Sequence, residues 1–242
     1  MRKTLAFVAP LAVALAVTLA VWTPWASSAG NGSQYEPMLS PADFTTTIDN
    51  PYFPLPVGRT LVYEGVKDGQ SQIDTVTVTD QTKVIEGITA RMVSDVSTHD
   101  GTLLEKTFDF YAQDKQGNVW YMGEDARELQ NGRFVRASDS WKAGVNGAKP
   151  GIIMRGNPKP NEVYRQEYYP PGGALDQGRV LGLGVSVKVP YGTFTKSLAT
   201  IEWSPVEPQL EKKYYVSGIG EVKEQVTQGG HERFELVSLT QG

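Results

Sequence analysis

From Arg59 to Leu239 apolar and polar side chains alternate with a period of two, and short turn signals punctuate the alternation. Thr60 to Glu64 is the first such run. In the next, Ile73, Thr75, Thr77 and Thr79 share one side, and Asp74, Val76, Val78 and Asp80 share the other. Ile88 to Thr98 follows the turn Glu86-Gly87. Asp100-Gly101, a pair that tolerates positive φ, leads into Leu103 to Gln113. Val119 to Gly123, Arg127 to Leu129 and, past Asn131-Gly132, Arg133 to Val135 continue the series. Arg179 to Val189 and Thr193 to Trp203 face each other across Pro190-Tyr191-Gly192. Lys212 to Val216, Gly220 to Thr227 and Arg233 to Leu239 complete it. A period of two places successive side chains on opposite faces of a strand, and no segment after residue 40 carries a long helical period. The reading is all-β: about a dozen strands in a curved antiparallel meander that forms a closed or half-closed barrel. A two-sheet sandwich is the second choice. Gly182, Gly184, Gly218 and Gly220 interrupt the strands, as bulges or tight curvature would.

Two stretches break the alternation. Residues 30–58 read as a tail and an extended lead-in, because Pro51, Pro54 and Pro56 exclude both a helix and a central strand. Tyr52, Phe53 and Leu55 are expected to pack onto the body, and Pro41 to Phe44 can form one short turn. Residues 137–178, rich in glycine and proline, read as an irregular loop within a single β domain spanning 59–242. Only Gly151 to Met154 and Val163 to Tyr169 look like strands there.

Met1-Arg2-Lys3, the apolar run from Leu5 to Trp22 and the small residues Ser27-Ser28-Ala29 have the three parts of a secretory signal peptide covering residues 1–29. An uncleaved N-terminal anchor is the alternative, since the run is long enough to span a bilayer. Either reading places the domain outside the cytoplasm, secreted or at the cell envelope. The chain has no cysteine, which excludes disulfides, thiol catalysis and a lipid-modified cysteine. Cleavage removes Arg2 and Lys3 and no acid, leaving 21 of the 23 basic residues against 27 acidic ones, a net charge of −6. Such a surface argues against nucleic acid as a partner.

The densest chemistry lies in Asp109 to Glu124, DFYAQDKQGNVWYMGE. Phe108, Phe110 and Trp120 read as core or cross-strand rings. Asp114 to Asn118 reads as a turn, with too few oxygens for a calcium loop. Asp109, Glu124, Asp125 and Glu128 include carboxylates that could do acid–base work at a suitable separation, which nothing local fixes. His99 and His231 sit beside turns, there is no nucleophile elbow, and neither a metal site nor a cofactor is expected. The candidate ligand-binding residues are Trp141, Tyr164, Arg165, Glu167, Tyr168 and Tyr169, where rings with polar tips meet charged groups in the proline- and glycine-rich loop.

NPYFPL (50–55), FDFYAQDKQGNVWYMGE (108–124), PGIIM (150–154), YRQEYYP (164–170), VPYGTF (189–194) and KYYVSGIG (213–220), in this order, resemble a family of secreted bacterial β-rich proteins of unknown function. The resemblance covers nearly all of residues 30–242. It implies an exported β-rich domain and assigns no activity and no site residues.

The expectation is therefore an exported, non-catalytic domain that binds an apolar or amphipathic small molecule, a lipid or a glycan. A structural or adhesion module of the cell envelope and a carboxylate-dependent hydrolase are the alternatives. The hydrolase would show Asp109, Glu124 or Glu167 paired in a cleft.

Overall fold

The structure is a computed structural model, and it describes residues 35–67 and 69–242. The signal segment expected over residues 1–29 lies outside the described residues. No helix among the described residues is long and apolar enough to cross a membrane.

Among the described residues fifteen strands form one antiparallel sheet. They are β1 (Phe44–Thr45), β2 (Thr60–Lys67), β3 (Gln70–Ile85), β4 (Ile88–His99), β5 (Thr102–Asp114), β6 (Val119–Gln130), β7 (Arg133–Arg136), β8 (Lys149–Met154), β9 (Val163–Arg165), β10 (Glu167–Tyr168), β11 (Gln177–Val189), β12 (Gly192–Trp203), β13 (Leu210–Val216), β14 (Gly220–Gln228) and β15 (Arg233–Thr240). Two three-residue 3-10 turns, at Pro41–Asp43 and Pro170–Gly172, are the helical content of the described residues.

The spatial order is β10-β8-β6-β5-β4-β3-β2-β15-β14-β13-β12-β11-β9. The chain enters the wall at β2 and meanders in one direction to β8. It then returns from β11 so that β15 pairs with β2, Thr240 opposite Thr60. β9 and β10 stand at the two ends of this order, yet only Gln166 separates them in sequence. The wall is thus a nearly closed barrel with one seam. At the seam Gln166 N–H donates to Asp176 O at 2.8 Å. A Cβ on Gly151 of β8 would lie 2.3 Å from the Gln166 carbonyl, so glycine is what lets β8 approach the crossing.

The two ends of the barrel differ. At one end lie the β5–β6 and β13–β14 turns, and the lead-in segment crosses there as a strap. Asn50 clips it: its N–H donates to Gln113 Oε1 at 2.9 Å, and Nδ2 donates to Gly117 O and Arg155 O. Asn50 Oδ1 accepts from Tyr52 and Phe53 N–H. On the far side Gly218 N–H donates to Pro51 O, and Arg59 donates to the carbonyls of Gly218 and Ile219. Leu55 is buried in the main core, with Tyr52 and Phe53 packed against it, as the proline spacing predicts. The tip of the β11–β12 hairpin is held by Tyr191 N–H to Leu236 O, and Val187 and Val189 join Leu61, Val222 and Leu236 in a second apolar cluster. The opposite end carries the β2–β3, β4–β5, β6–β7 and β14–β15 turns and has no such strap among the described residues.

Candidate functional site

The site grows out of a change in residue type along the inner face of each strand. Near the strapped end the inner positions are mostly apolar: Leu61, Val76, Val93, Tyr111, Ile153, Tyr215 and Ile219 surround a cavity of about 260 Å³, with Phe53 and Leu55 from the strap, and Lys213 and Glu221 add a charged pair of positions on its β13–β14 side. Two residues further along the same faces, β3 places Asp74 and β4 places Asp95, and β5 continues with Asp109 and Glu105. On β6 a register shift lies between the pairs Phe110/Gly123 and Tyr111/Tyr121, and Gly123 has φ 126°. A Cβ there would lie 2.5 Å from Trp141 O, so glycine makes the bulge that turns Glu124 inward after Tyr121. Glu128, Glu211, Glu224 and Glu232 complete the polar wall. It surrounds a second cavity of about 480 Å³ towards the unstrapped end, with Lys67 and Gln70 at its exposed rim. Asp74, Asp95, Asp109, Glu224 and Phe234 line both cavities and mark their boundary.

Burial acts on these carboxyls in one direction. It raises Asp74 to about 6, with the Glu224 charge adding to it. It raises Asp95 well above the usual carboxylate range, helped by the charges of Asp109, Asp74 and Glu105. Asp74 Oδ1 is buried and has no hydrogen-bond partner. The same carboxyl faces Ser97, whose hydroxyl also lies 2.9 Å from Gln72 Oε1, so one hydrogen serves one of the two acceptors.

Asp109 and Glu124 are directly opposed in register and share one hydroxyl. Tyr121 Oη is 2.6 Å from Asp109 Oδ1 and 2.8 Å from Glu124 Oε2. A phenol carries one hydrogen, so one of these carboxyls must hold a proton for both bonds to form. Burial, then the Asp109 charge, pushes Glu124 up to about 9. Burial lifts Asp109 to about 6, because the Tyr121 bond opposes part of the rise. The arrangement at neutral pH is therefore Glu124 as the acid donating to Tyr121, and Tyr121 donating to an ionised Asp109.

The opposite wall is compensated. Lys213 Nζ on β13 lies 3.0 Å from Glu224, 3.5 Å from Glu202 and 3.9 Å from Glu211. Burial alone would lower this ammonium, but Glu224, Glu202, Glu221 and Glu211 together hold it charged, above its ordinary range. Glu202 Oε1 also accepts from Thr200 Oγ1 at 2.8 Å and from Tyr215 Oη at 3.2 Å. Among the described residues no ion pair joins Asp74, Asp95 or Asp109.

The aromatic rings of the hairpin divide between the two faces. Tyr111 and Tyr121 stack at 5.0 Å on the inside. They lie in a row from Phe53, 5.2 Å from Tyr111, to Trp141, 5.4 Å from Tyr121. On the other face Phe44 of β1 meets Trp120 edge-on at 6.2 Å. Asp114 is turn chemistry, as its sequence predicts: Oδ1 accepts from Gln116 and Asn118 N–H, and Oδ2 from Asn118 Nδ2 and Trp120 Nε1.

The six residues singled out in the 137–178 loop gather around the seam. Trp141 is 2% exposed and donates through Nε1 to Glu167 Oε2 at 2.9 Å. Burial and the nearby Asp176 charge raise Glu167 to about 8. The Arg165 guanidinium lies 5.2 Å from the Tyr168 ring centroid. Tyr164 is buried against Gly178, and Tyr169 N–H donates to Ala174 O. None of the six lines either cavity; Trp141 is connected to the inner wall through Tyr121. Sequence reasoning missed Asp74, Asp95, Glu211, Lys213 and Glu224. The signal that finds them is the switch from acidic to apolar along one face: Asp74-x-Val76-x-Val78 on one strand, and Asp95 after Val93 on its antiparallel neighbour.

No family model matches the chain, and no curated protein matches it. Two solved structures are similar at a distance. One is from Bacteroides fragilis and is provisionally described as an exported protein with a YmcC-like fold. It is 13% identical, with 78% of this chain and 99% of that chain covered and a TM-score of 0.46. The other is from Parabacteroides distasonis and is provisionally described as a lipoprotein. It is 13% identical, with coverage of 78% and 98% and a TM-score of 0.44.

Proposed function

We propose that this chain is an exported, non-catalytic barrel that holds an amphipathic small molecule inside its wall. The observation that carries the reading is the pair of adjoining inner cavities, about 480 Å³ and polar towards the unstrapped end and about 260 Å³ and mostly apolar against the strap. Small-molecule sites are commonly concave spaces of this scale, with an apolar floor and a few convergent polar groups, and the mouths of β-barrels are a frequent place for them. Export is supported by the three-part pattern of residues 1–29. The test is native mass spectrometry of the mature protein purified from its own host. A retained small molecule that leaves on denaturation is the expected result. A bare mass, together with no uptake of octyl-chain probes, would overturn the reading.

One observation favours a second reading. Asp109 and Glu124 face the larger cavity with unequal proton affinities, the division of labour that an acid and a nucleophile need for glycoside hydrolysis. Turnover of an aryl glycoside that disappears in both Asp109→Asn and Glu124→Gln would establish it. Turnover unchanged in both would remove it.

A further inference from the structure

We propose that the molecule held in the barrel carries an ammonium group, and that this group sits at the level of Asp74, Asp95 and Asp109. The inference rests on the reading of the barrel as a container, and it names the polar end of what is contained. Three observations lead to it.

First, the larger cavity is lined by nine acidic side chains, of which Glu124 holds a proton at neutral pH, and by one lysine, Lys67, which stands at the exposed rim and whose charge also acts on Asp74. An anionic head would enter against like charge. A neutral head would leave the buried carboxyls as they are.

Second, the wall shows how it accommodates an ammonium. Lys213 reaches in from β13 and finds Glu224 at 3.0 Å and Glu202 at 3.5 Å. Across the barrel, Asp74, Asp95 and Asp109 come from three adjacent strands, and no described cation is ion-paired to them. They stand on a diagonal: Asp74 pairs with Ser97, two residues from Asp95, and Val93, two residues on the other side of Asp95, pairs with Asp109. Diagonal positions of this kind are within reach of one another across a sheet. Asp74 and Asp109 stand four residue levels and two strands apart, too far for one ammonium to touch both, so the group sits beside Asp95, the middle carboxyl, with a donor left for one diagonal neighbour. Asp74 Oδ1, buried and without a partner, is an acceptor such a donor would meet.

Third, these same three residues mark the boundary between the polar and the apolar cavity. A cation held there puts the attached hydrocarbon among Leu61, Val76, Val93, Tyr111 and Ile153. The position of the charge and the position of the apolar floor therefore select one molecule shape, a cationic head on a short apolar body.

The experiment uses three probes of one chain length, octylammonium, 1-octanol and octyl sulfate, titrated into the full mature protein by calorimetry at pH 7. Octylammonium is expected to bind about tenfold tighter than octanol, the equivalent of one partly desolvated charge pair, and octyl sulfate weakest. Raising the salt should erode the ammonium preference and leave octanol unchanged. In the double variant Asp74→Asn/Asp95→Asn the preference should vanish while octanol binding persists, which also shows that the variant is folded. Equal affinity for octylammonium and octanol, or tightest binding of the sulfate, would overturn the ammonium assignment and leave the container standing. Failure of all three probes to bind would overturn both.

Discussion

The Tyr121 hydroxyl lies between two carboxyls, 2.6 Å from Asp109 Oδ1 and 2.8 Å from Glu124 Oε2, and its single hydrogen can serve one of them. The proton that completes the arrangement ties the stability of the barrel to pH. Burial raises Glu124 to about 9 and Asp109 to about 6, both above the values of an unfolded chain. Between the unfolded and folded values the native state binds more protons than the unfolded state, so stability falls as pH rises. The melting temperature is expected to be highest near pH 5 and to decline towards pH 9. Glu124→Gln should flatten that slope and gain about 2 kcal/mol at pH 9, roughly 5 °C. Thermal melts across pH 5–9 check it; an unchanged slope in the variant would refute the proton assignment.

Tyr121→Phe keeps the ring of the Phe53–Tyr111–Tyr121–Trp141 row and deletes the shared hydroxyl. It should cost about 1–3 kcal/mol, because a buried carboxylate loses its donor. The loss should be larger at pH 8 than at pH 5, where both carboxyls are protonated and can donate for themselves. Chemical denaturation at the two pH values separates this from a simple packing defect, which would be equal at both.

Lys213→Met removes the ammonium shared by Glu202, Glu211 and Glu224. Breaking a buried pair on one side leaves uncompensated charge, so the expected loss is about 3–5 kcal/mol at pH 8. Adding Glu224→Gln to Lys213→Met should recover part of it. A double-mutant cycle with no coupling would show that the lysine acts by packing alone.

Asn50→Ala unclips the strap, since one side chain serves Gly117 O and Arg155 O while accepting from Tyr52 and Phe53 N–H. A loss of about 2–4 kcal/mol is expected from several buried groups left unpaired together. Amide exchange should quicken in residues 51–56 more than in β3 or β4. Equal protection in variant and parent would mean the strap is held by Phe53 and Leu55 packing.

Gly65→Ala tests the close approach of β2 and β15, where an added Cβ would lie 2.2 Å from Arg233 O and 2.4 Å from the Phe234 ring. Backbone cannot yield as a side chain can, and about 2–4 kcal/mol of destabilisation is expected. Gly101→Ala is the control: it has open space around it but a φ of 75°, and about 1 kcal/mol should be lost there. Equal effects at the two sites would contradict the packing argument.

The fold was legible because a two-residue period is a local property. Thr60 to Glu64, Ile73 to Thr79 and the later runs declare themselves without reference to their partners, and the glycines at 182, 184 and 220 mark bends that the register shifts and positive φ values of β11 and β14 explain. The strap was legible for a similar reason, since proline spacing restricts the backbone directly. The inner carboxylates were not. Asp74 sits on β3 and Glu224 on β14, and their convergence depends on which strands are opposed across a nearly closed wall, a non-local fact. Asp109 and Glu124 could be named as candidates, but the one-residue bulge at Gly123 decides that both face the Tyr121 hydroxyl. The six residues of the 137–178 loop were grouped by composition, and the structure gathers them around the seam, where they join β8, β10 and β11.

Because β2 pairs with β15, the first long strand of the wall finds its neighbour far later in the chain, Thr60 against Thr240. Such a wall has no early half that is complete: β3 to β8 can zip hairpin by hairpin, yet β2 keeps a raw margin until the final strand arrives. High contact order of this kind slows folding. It makes residues 233–240 the keystone, the segment whose docking converts an open ribbon into an enclosure.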